Sequence, residues 1–369
     1  MKKKSLNMML AVFLTAGILC GCQKTNGQSD AQDGQPSEVQ AVQEELDQPA
    51  LEEQNAQEDA GEAEKEDTSD ARERVTVRIA SLKGPTTMGL VKLWQQQEDG
   101  SNQGDYEFMM MTGADEIMPQ MIKGEVDIAL LPANAAAILY GKSQGAVAVI
   151  DINTLGVLYL VSGDETIETV ADLAGKTIYL TGKGTTPDYG LQYLLAKHGI
   201  DLSEVTLEYR SEATEVAVLL KENPDSIGLL PQPFVTAACM QNEDLSVVLD
   251  INEEWENLNS GRGMVTGVTV VRKDFLKEHP EAVDTFLKEH EASAQFANDN
   301  VEEAAEMVVE RGIAEKAPIA AKAIPACHIT CIKGEEMKAA LSGYLETLFE
   351  QDPEFIGGAM PGDDFYEVR

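Results

Sequence analysis

Ser81-Leu82-Lys83-Gly84-Pro85-Thr86-Thr87-Met88 follows the apolar run Val75-Thr76-Val77-Arg78-Ile79-Ala80 and precedes a helical pattern. A strand that passes through Gly-Pro-Thr-Thr into a helix leaves the first helical amides without intrahelical partners, with two hydroxyls beside them. Taken alone this is an ordinary helix start, because Thr is a favoured N-cap and Pro a favoured first-turn residue. A near copy changes its weight. Ile178-Tyr179-Leu180-Thr181-Gly182-Lys183-Gly184-Thr185-Thr186-Pro187 repeats strand, glycine turn and Thr-Thr about a hundred positions on. At the same offset Ser226-Ile227-Gly228-Leu229-Leu230-Pro231 repeats Asp127-Ile128-Ala129-Leu130-Leu131-Pro132. Two correspondences at one offset predict two structurally similar lobes.

Outward from these turns, short apolar runs alternate with helical patterns, which predicts an α/β layer structure with largely parallel sheets. Strands are expected over 75–80, 106–111, 126–131, 147–152 and 157–161, then over 177–180, 205–209, 226–231 and 247–251. Val265 to Val271 reads as a strand that returns the chain to the first lobe, and everything beyond Arg272 reads as helical, over 273–298, 301–310, 315–324 and 334–349. The expected division is lobe 1 over 75–158, lobe 2 over 159–264, and the lobe 1 return strand with its C-terminal helices over 265–369. Crossing out near residue 157 and back near 265 gives two connections, and so a hinge with a cleft.

The 369-residue chain is 43% hydrophobic, ample for a core, and carries a formal net charge of -36. Such a charge repels nucleic acid and anionic membrane surfaces at long range, so neither is expected as a partner. Lys2-Lys3-Lys4, the apolar stretch Met8 to Leu19 and then Leu19-Cys20-Gly21-Cys22 have the layout of a secretory leader. Its end resembles a bacterial lipobox: 1–21 is expected to be removed and Cys22 to carry acyl chains, holding an otherwise exported chain at the extracytoplasmic face of the cell membrane. Residues 22–74 are rich in Glu, Asp, Gln, Ala and Ser and have no aromatic residue, the composition of a disordered acidic tether.

Catalytic and metal motifs are weak. Of the four histidines, His198, His279 and His290 stand beside charged residues in helical patterns and read as solvated faces. Cys327-His328-Ile329-Thr330-Cys331 offers soft ligands but no second cluster, so the two cysteines read as buried apolar thiols. Gly182-Lys183-Gly184-Thr185-Thr186 lacks the spacing of a phosphate-binding P-loop. Arg262, between two glycines, is a possible anion clamp. No catalytic residue, metal or cofactor is expected.

What remains is a set of strand-to-helix turns, and in parallel α/β sheets ligands bind outside the carboxyl ends of strands, where such turns lie. The candidate ligand-binding residues are Lys83, Gly84, Thr86, Thr87, Asn134, Asn153, Thr154, Gly182, Gly184, Thr185, Thr186 and Gln232. Helix N-termini converging from two lobes favour an anionic or strongly polar ligand.

These turns, together with Asp172-Leu173-Ala174-Gly175-Lys176-Thr177-Ile178 and the end Gly357-Gly358-Ala359-Met360-Pro361-Gly362-Asp363-Asp364-Phe365-Tyr366, resemble the bacterial ABC-transporter substrate-binding proteins of the nitrate, sulfonate and taurine type, including relatives that bind thiamine precursors. The resemblance implies a two-lobe type II periplasmic-binding-protein fold with a central ligand cleft and a helical C-terminal part. It implies a monomer that captures a small molecule and delivers it to an ABC permease and its ATPase, touching the membrane only through its lipid, and it implies no enzyme. The alternatives are a thiamine-pyrimidine-related binding protein and a pyrimidine-synthase-like enzyme on the same fold. No aromatic box for a pyrimidine or a quaternary amine stands out along the chain.

Overall fold

The computed structural model describes residues 75–260 and 263–369. The expected leader, Cys22, the acidic tether and Arg262 lie outside the described residues.

The fold is α/β and two-lobed, each lobe built on one sheet, with both sheets inside one compact unit. In chain order the strands are β1 (Thr76–Leu82), β2 (Asp105–Met111), β3 (Ile128–Pro132), β4 (Val147–Thr154), β5 (Leu158–Ser162), β6 (Thr177–Leu180), β7 (Thr206–Tyr209), β8 (Ile227–Pro231), β9 (Ser246–Asp250), β10 (Gly267–Arg272) and β11 (Ile329–Ile332). The first sheet has the order β11-β4-β10-β3-β1-β2 and the second β7-β6-β8-β5-β9.

The internal repeat is visible in the pairing. In the first sheet β1 lies parallel to β2 and to β3, and in the second β6 lies parallel to β7 and to β8. Each parallel trio is then extended by an antiparallel strand, β10 against β3 and β5 against β8, and by one more beyond it, β4 and β9. Both sheets are therefore mixed, where the run of alternating elements predicted largely parallel ones. The reason is topological: β5 and β10 are the strands on which the chain enters each lobe after crossing, so they arrive from the opposite direction.

Central strands are buried on both faces. Every residue of β4 and β5 is buried, so neither strand alternates between an apolar and a solvated face. The short crossing 155–157 is held where the Leu155 amide donates to the His328 carbonyl at 3.2 Å and His328 Nδ1 meets the Gly156 carbonyl.

The C-terminal part departs from the helical expectation in two places. The expected helix over 273–298 is split at His279 into Lys273–Glu278 and Pro280–Asp299, because Pro280 cannot donate to the preceding turn and instead opens a new helix. His328 takes φ 44° and turns the chain into β11, an edge strand against β4. Four residues with no alternation gave no strand signal in the sequence.

One expectation about burial is overturned. His290, read from its charged neighbours as part of a solvated face, is 0% exposed. It lies on the inner face of Pro280–Asp299, stacked on Phe286 one turn back at 5.4 Å between ring centroids. His198 is exposed and His279 half-buried. Cys327 is a buried thiol against Met88 Sδ at 3.7 Å, whereas Cys331 is only half-buried.

Candidate functional site

The turn after β1 begins with Gly84 at φ 141°, which side-chain-bearing residues rarely adopt. A single helical turn, Pro85–Met88, follows. Thr86 and Thr87 both donate their hydroxyl protons to the Leu82 carbonyl, Thr86 at 2.9 Å. Thr87 Oγ1 also sits 2.7 Å from Ser81 Oγ, so Ser81 supplies that proton. These hydroxyls are left with acceptor capacity only, and Thr87, at 0% exposure, serves the turn itself. Lys83 is exposed, and its backbone amide donates to the Met111 carbonyl at 2.9 Å.

At the carboxyl ends of β3 and β4 the chain brings Thr86, Asn153 and Thr154 around Gly267, the first residue of β10. Gly267 pairs with Pro132 on one side and Thr154 on the other. A β-carbon there would meet Asn153 Oδ1 at 2.4 Å, Thr86 Cγ2 at 2.9 Å and Thr154 Cβ at 3.2 Å. Glycine is needed because the backbone passes this close to three side chains. Asn153 is fixed from both ends: its Oδ1 accepts from the Thr154 hydroxyl at 2.9 Å, and its Nδ2 donates to Thr269 Oγ1 at 3.1 Å. Asn134 stands at the start of the helix Ala133–Lys142 and is 1% exposed.

The second turn is braced by a carboxylate. Gly182 and Gly184 take φ 71° and 75°, and the Thr185 hydroxyl donates to the Gly182 carbonyl at 2.6 Å. Asp188, in the first turn of the helix Thr186–Lys197, accepts from the Gly184 amide at 2.8 Å, Gln192 Nε2 at 2.6 Å and the Tyr209 hydroxyl at 2.7 Å. Burial, and then the bond to Asp188, push the Tyr209 hydroxyl well above its ordinary pKa. The Gly184 amide is thus occupied by the protein's own anion, while Lys183 extends over the Tyr209 ring at 5.1 Å.

Thr186 carries the connection between lobes. Its hydroxyl donates to Asn134 Oδ1 at 3.5 Å, the long limit of a hydrogen bond, and both residues are buried. Asn134 Nδ2 in turn donates to the Phe355 carbonyl at 3.4 Å. Around this polar contact lies an aromatic set: Tyr189 stacks on Phe355, Tyr193 is 4.3 Å from Trp255, and Trp255 is 5.2 Å from Tyr344 between ring centroids. No aromatic cluster was legible along the chain, because its members come from three separate helices and a following turn. Gln232 is engaged elsewhere: its Oε1 accepts from the Thr236 hydroxyl at 2.8 Å and the Thr236 amide at 3.3 Å, in the first turn of the helix Phe234–Gln241.

Two lobes of like topology, with turns from each meeting at one polar and aromatic contact, define a two-lobe α/β fold. Solved structures share this fold. An ABC transporter from Parabacteroides distasonis aligns over 80% of this chain and 99% of its own, with a TM-score of 0.68 at 23% identity. The periplasmic aliphatic sulphonate binding protein SsuA from Escherichia coli covers 78% of this chain and 92% of its own, with a TM-score of 0.62 at 15% identity. The periplasmic nitrate-binding protein NrtA from Synechocystis covers 78% and 83%, with a TM-score of 0.55 at 13% identity. No curated protein sequence is significantly similar to this chain.

The family model described as "Menaquinone biosynthesis" matches residues 85–324. The chain belongs to the menaquinone-biosynthesis family. That match overturns the expectation that the chain is no enzyme: the family is one of a biosynthetic pathway, carried on the fold that the solved binding proteins share. The glycine turns are shared by the whole fold, and such turns do not separate capture from conversion.

Proposed function

We propose that the cleft between the lobes captures a small polar or anionic molecule, and that the chain works as the solute-binding component of an ABC importer. The observation that carries this is the meeting of Thr186 and Asn134, at the starts of two ten- and twelve-residue helices from opposite lobes. Helix N-termini favour negative charge, so a ligand seated there has its anionic or carbonyl end toward these residues. Lys83, Gly84, Thr86, Asn153 and Thr154 form the first-lobe wall in this reading; Gly182, Gly184 and Thr185 form the second. Thr87 and Gln232 hold their turns in shape. The fold shared with sulphonate- and nitrate-binding proteins supports the same ligand class. Acylation at Cys22 keeps the receptor beside its permease, with 22–74 as spacer.

A second reading is favoured by the family match: the cleft carries out a step of menaquinone biosynthesis on the molecule it encloses. One experiment addresses both. The full chain is screened by thermal shift against sulfonates, nitrate, bicarbonate, pyrimidines and aromatic carboxylates, since a ligand that binds the folded state raises stability by mass action. Each stabilising compound is then incubated with the protein and followed by mass spectrometry. Stabilisation without conversion supports capture and delivery; conversion supports the biosynthetic reading; no stabilisation by any of these compounds contradicts both.

A further inference from the structure

Away from the cleft turns, three side chains distant in sequence converge beside the middle of β4. Asp151 on β4, His290 on the helix Pro280–Asp299 and Cys331 on β11 each place a ligand atom within 4.8 Å of the other two. Asp151 and His290 are both 0% exposed, with His290 Nδ1 at 3.2 Å from Asp151 Oδ2. The other ring nitrogen of His290, Nε2, is buried with no partner. The other carboxylate oxygen, Oδ1, accepts from the Thr269 hydroxyl at 2.7 Å. Fully buried polar groups are normally satisfied, and an orphaned imidazole nitrogen beside a buried carboxylate and a thiol is an arrangement that apolar packing does not explain. Cys331 opens onto a surface groove of about 260 Å³ lined also by Glu291, Gln295, Asn298, Asp299 and Thr330, so ions and water reach the thiol from an acidic rim.

We propose that Asp151, His290 and Cys331 bind a divalent transition metal ion of the zinc type. One carboxylate, one imidazole and one thiolate suit a borderline-soft ion and do not suit magnesium or calcium, which take oxygen ligands. The charge closes as well: carboxylate and thiolate together neutralise a divalent cation, leaving no net charge in a buried site. Zinc holds sulfur at about 2.3 Å and nitrogen or oxygen at about 2.0–2.1 Å, so ligand atoms now up to 4.8 Å apart draw together by rotamer adjustment on binding. The groove supplies water for a fourth position. Binding releases the Cys331 proton to solvent as the metal–sulfur bond forms. Thr269 supports the site from outside by orienting Asp151, and because it also accepts from Asn153 Nδ2, the metal site is joined to the cleft wall through one hydroxyl.

The test titrates cobalt(II) into the metal-free, reduced full chain, in excess calcium so that the acidic surface is saturated by a hard ion. One equivalent is expected to bind with the near-ultraviolet charge-transfer band of a cobalt–thiolate bond and the visible bands of a tetrahedral site, and one equivalent of zinc is expected to displace it. Cys331→Ser removes the thiolate at a half-buried position where folding is preserved, and is expected to abolish the charge-transfer band. Thr269→Val is expected to weaken cobalt binding by about 10–100-fold while keeping the band. Cys20→Ser with Cys22→Ser is expected to leave the titration unchanged. Absence of a thiolate band in the wild-type chain, or its survival in Cys331→Ser, overturns the proposal.

Discussion

Tyr189 lies flat on Phe355, with ring centroids 3.5 Å apart and planes 13° apart. Tyr189 belongs to the helix that begins at the second Thr-Thr turn, and Phe355 to the turn after the long C-terminal helix Gly334–Gln351, which packs on the first sheet through β4. The stack is therefore a latch between lobes, set beside the Thr186–Asn134 contact. An aromatic pair of this kind contributes about 0.5–1.5 kcal/mol beyond the area it buries. Tyr189→Leu is expected to lower stability by about that amount in a urea melt and to speed exchange of bound ligand. Unchanged stability together with unchanged exchange would show that the rings only touch.

Gly267 is the most constrained position of the first-lobe wall. Gly267→Ala forces a methyl against Asn153 Oδ1, with Thr86 and Thr154 close behind. Overpacking of this kind costs about 1–3 kcal/mol. The substitution is expected to weaken ligand binding more than any alanine placed at an exposed turn residue such as Lys83, as read by equilibrium dialysis.

Asp127 binds the two arginines that close the far end of the first sheet. Its Oδ2 accepts from Arg78 Nε at 2.8 Å, and its Oδ1 from Arg78 Nη2 at 2.6 Å and Arg272 Nη2 at 3.0 Å. Burial pushes the Asp127 pKa up, but the bonds to Arg78, with the charge of Arg272, outweigh it and hold the carboxyl below its ordinary range. A depressed folded-state pKa means that this stability is fully present above the unfolded carboxylate value of about 4 and is lost as pH falls through the folded one. Asp127→Asn is expected to cost about 2–3 kcal/mol at neutral pH, discounted because Arg78 reaches solvent, and to flatten the acid limb of the stability profile. An acid limb of unchanged slope would assign that limb to other carboxylates.

Thr269 serves two buried groups with one hydroxyl, accepting from Asn153 and donating to Asp151. Thr269→Val keeps the shape and strands both partners. A loss of about 1–3 kcal/mol is expected in chemical denaturation, larger than for Thr285→Val, whose exposed hydroxyl bonds only the carbonyl one turn back. Equal effects would mean that water replaces the lost hydroxyl.

The repeated Gly-Thr-Thr turns and the paired Ile-x-Leu-Leu-Pro strands carried the two-lobe α/β fold, because strand-end glycines and apolar runs are local signals. The antiparallel entry of β5 and β10 was not legible, since direction in a sheet depends on where the chain crosses and no single residue states it. The polar residues Thr86, Asn134, Asn153, Thr154 and Thr186 were legible as candidates because they stand at or just beyond strand ends. Tyr189, Phe355, Asp151, His290 and Cys331 were not. Their partners lie from 41 to 180 positions away, as with His290 and Cys331 or Asp151 and Cys331, and only folding brings them together. His290 was misread for a related reason: its neighbours Lys288 and Glu291 are exposed while the ring lies on the buried face of the helix.

The central claim is that Thr186 and Asn134 face a shared ligand. The most direct measurement is isothermal titration of the strongest stabilising compound from the screen into the wild-type chain and into Asn134→Ala with Thr186→Val. Two hydrogen bonds at about 0.5–1.5 kcal/mol each correspond to a loss of affinity of roughly fivefold to a hundredfold and more. A loss in that range, with the fold intact by circular dichroism, is the predicted result. Equal affinity for both proteins would place the ligand elsewhere and contradict the account.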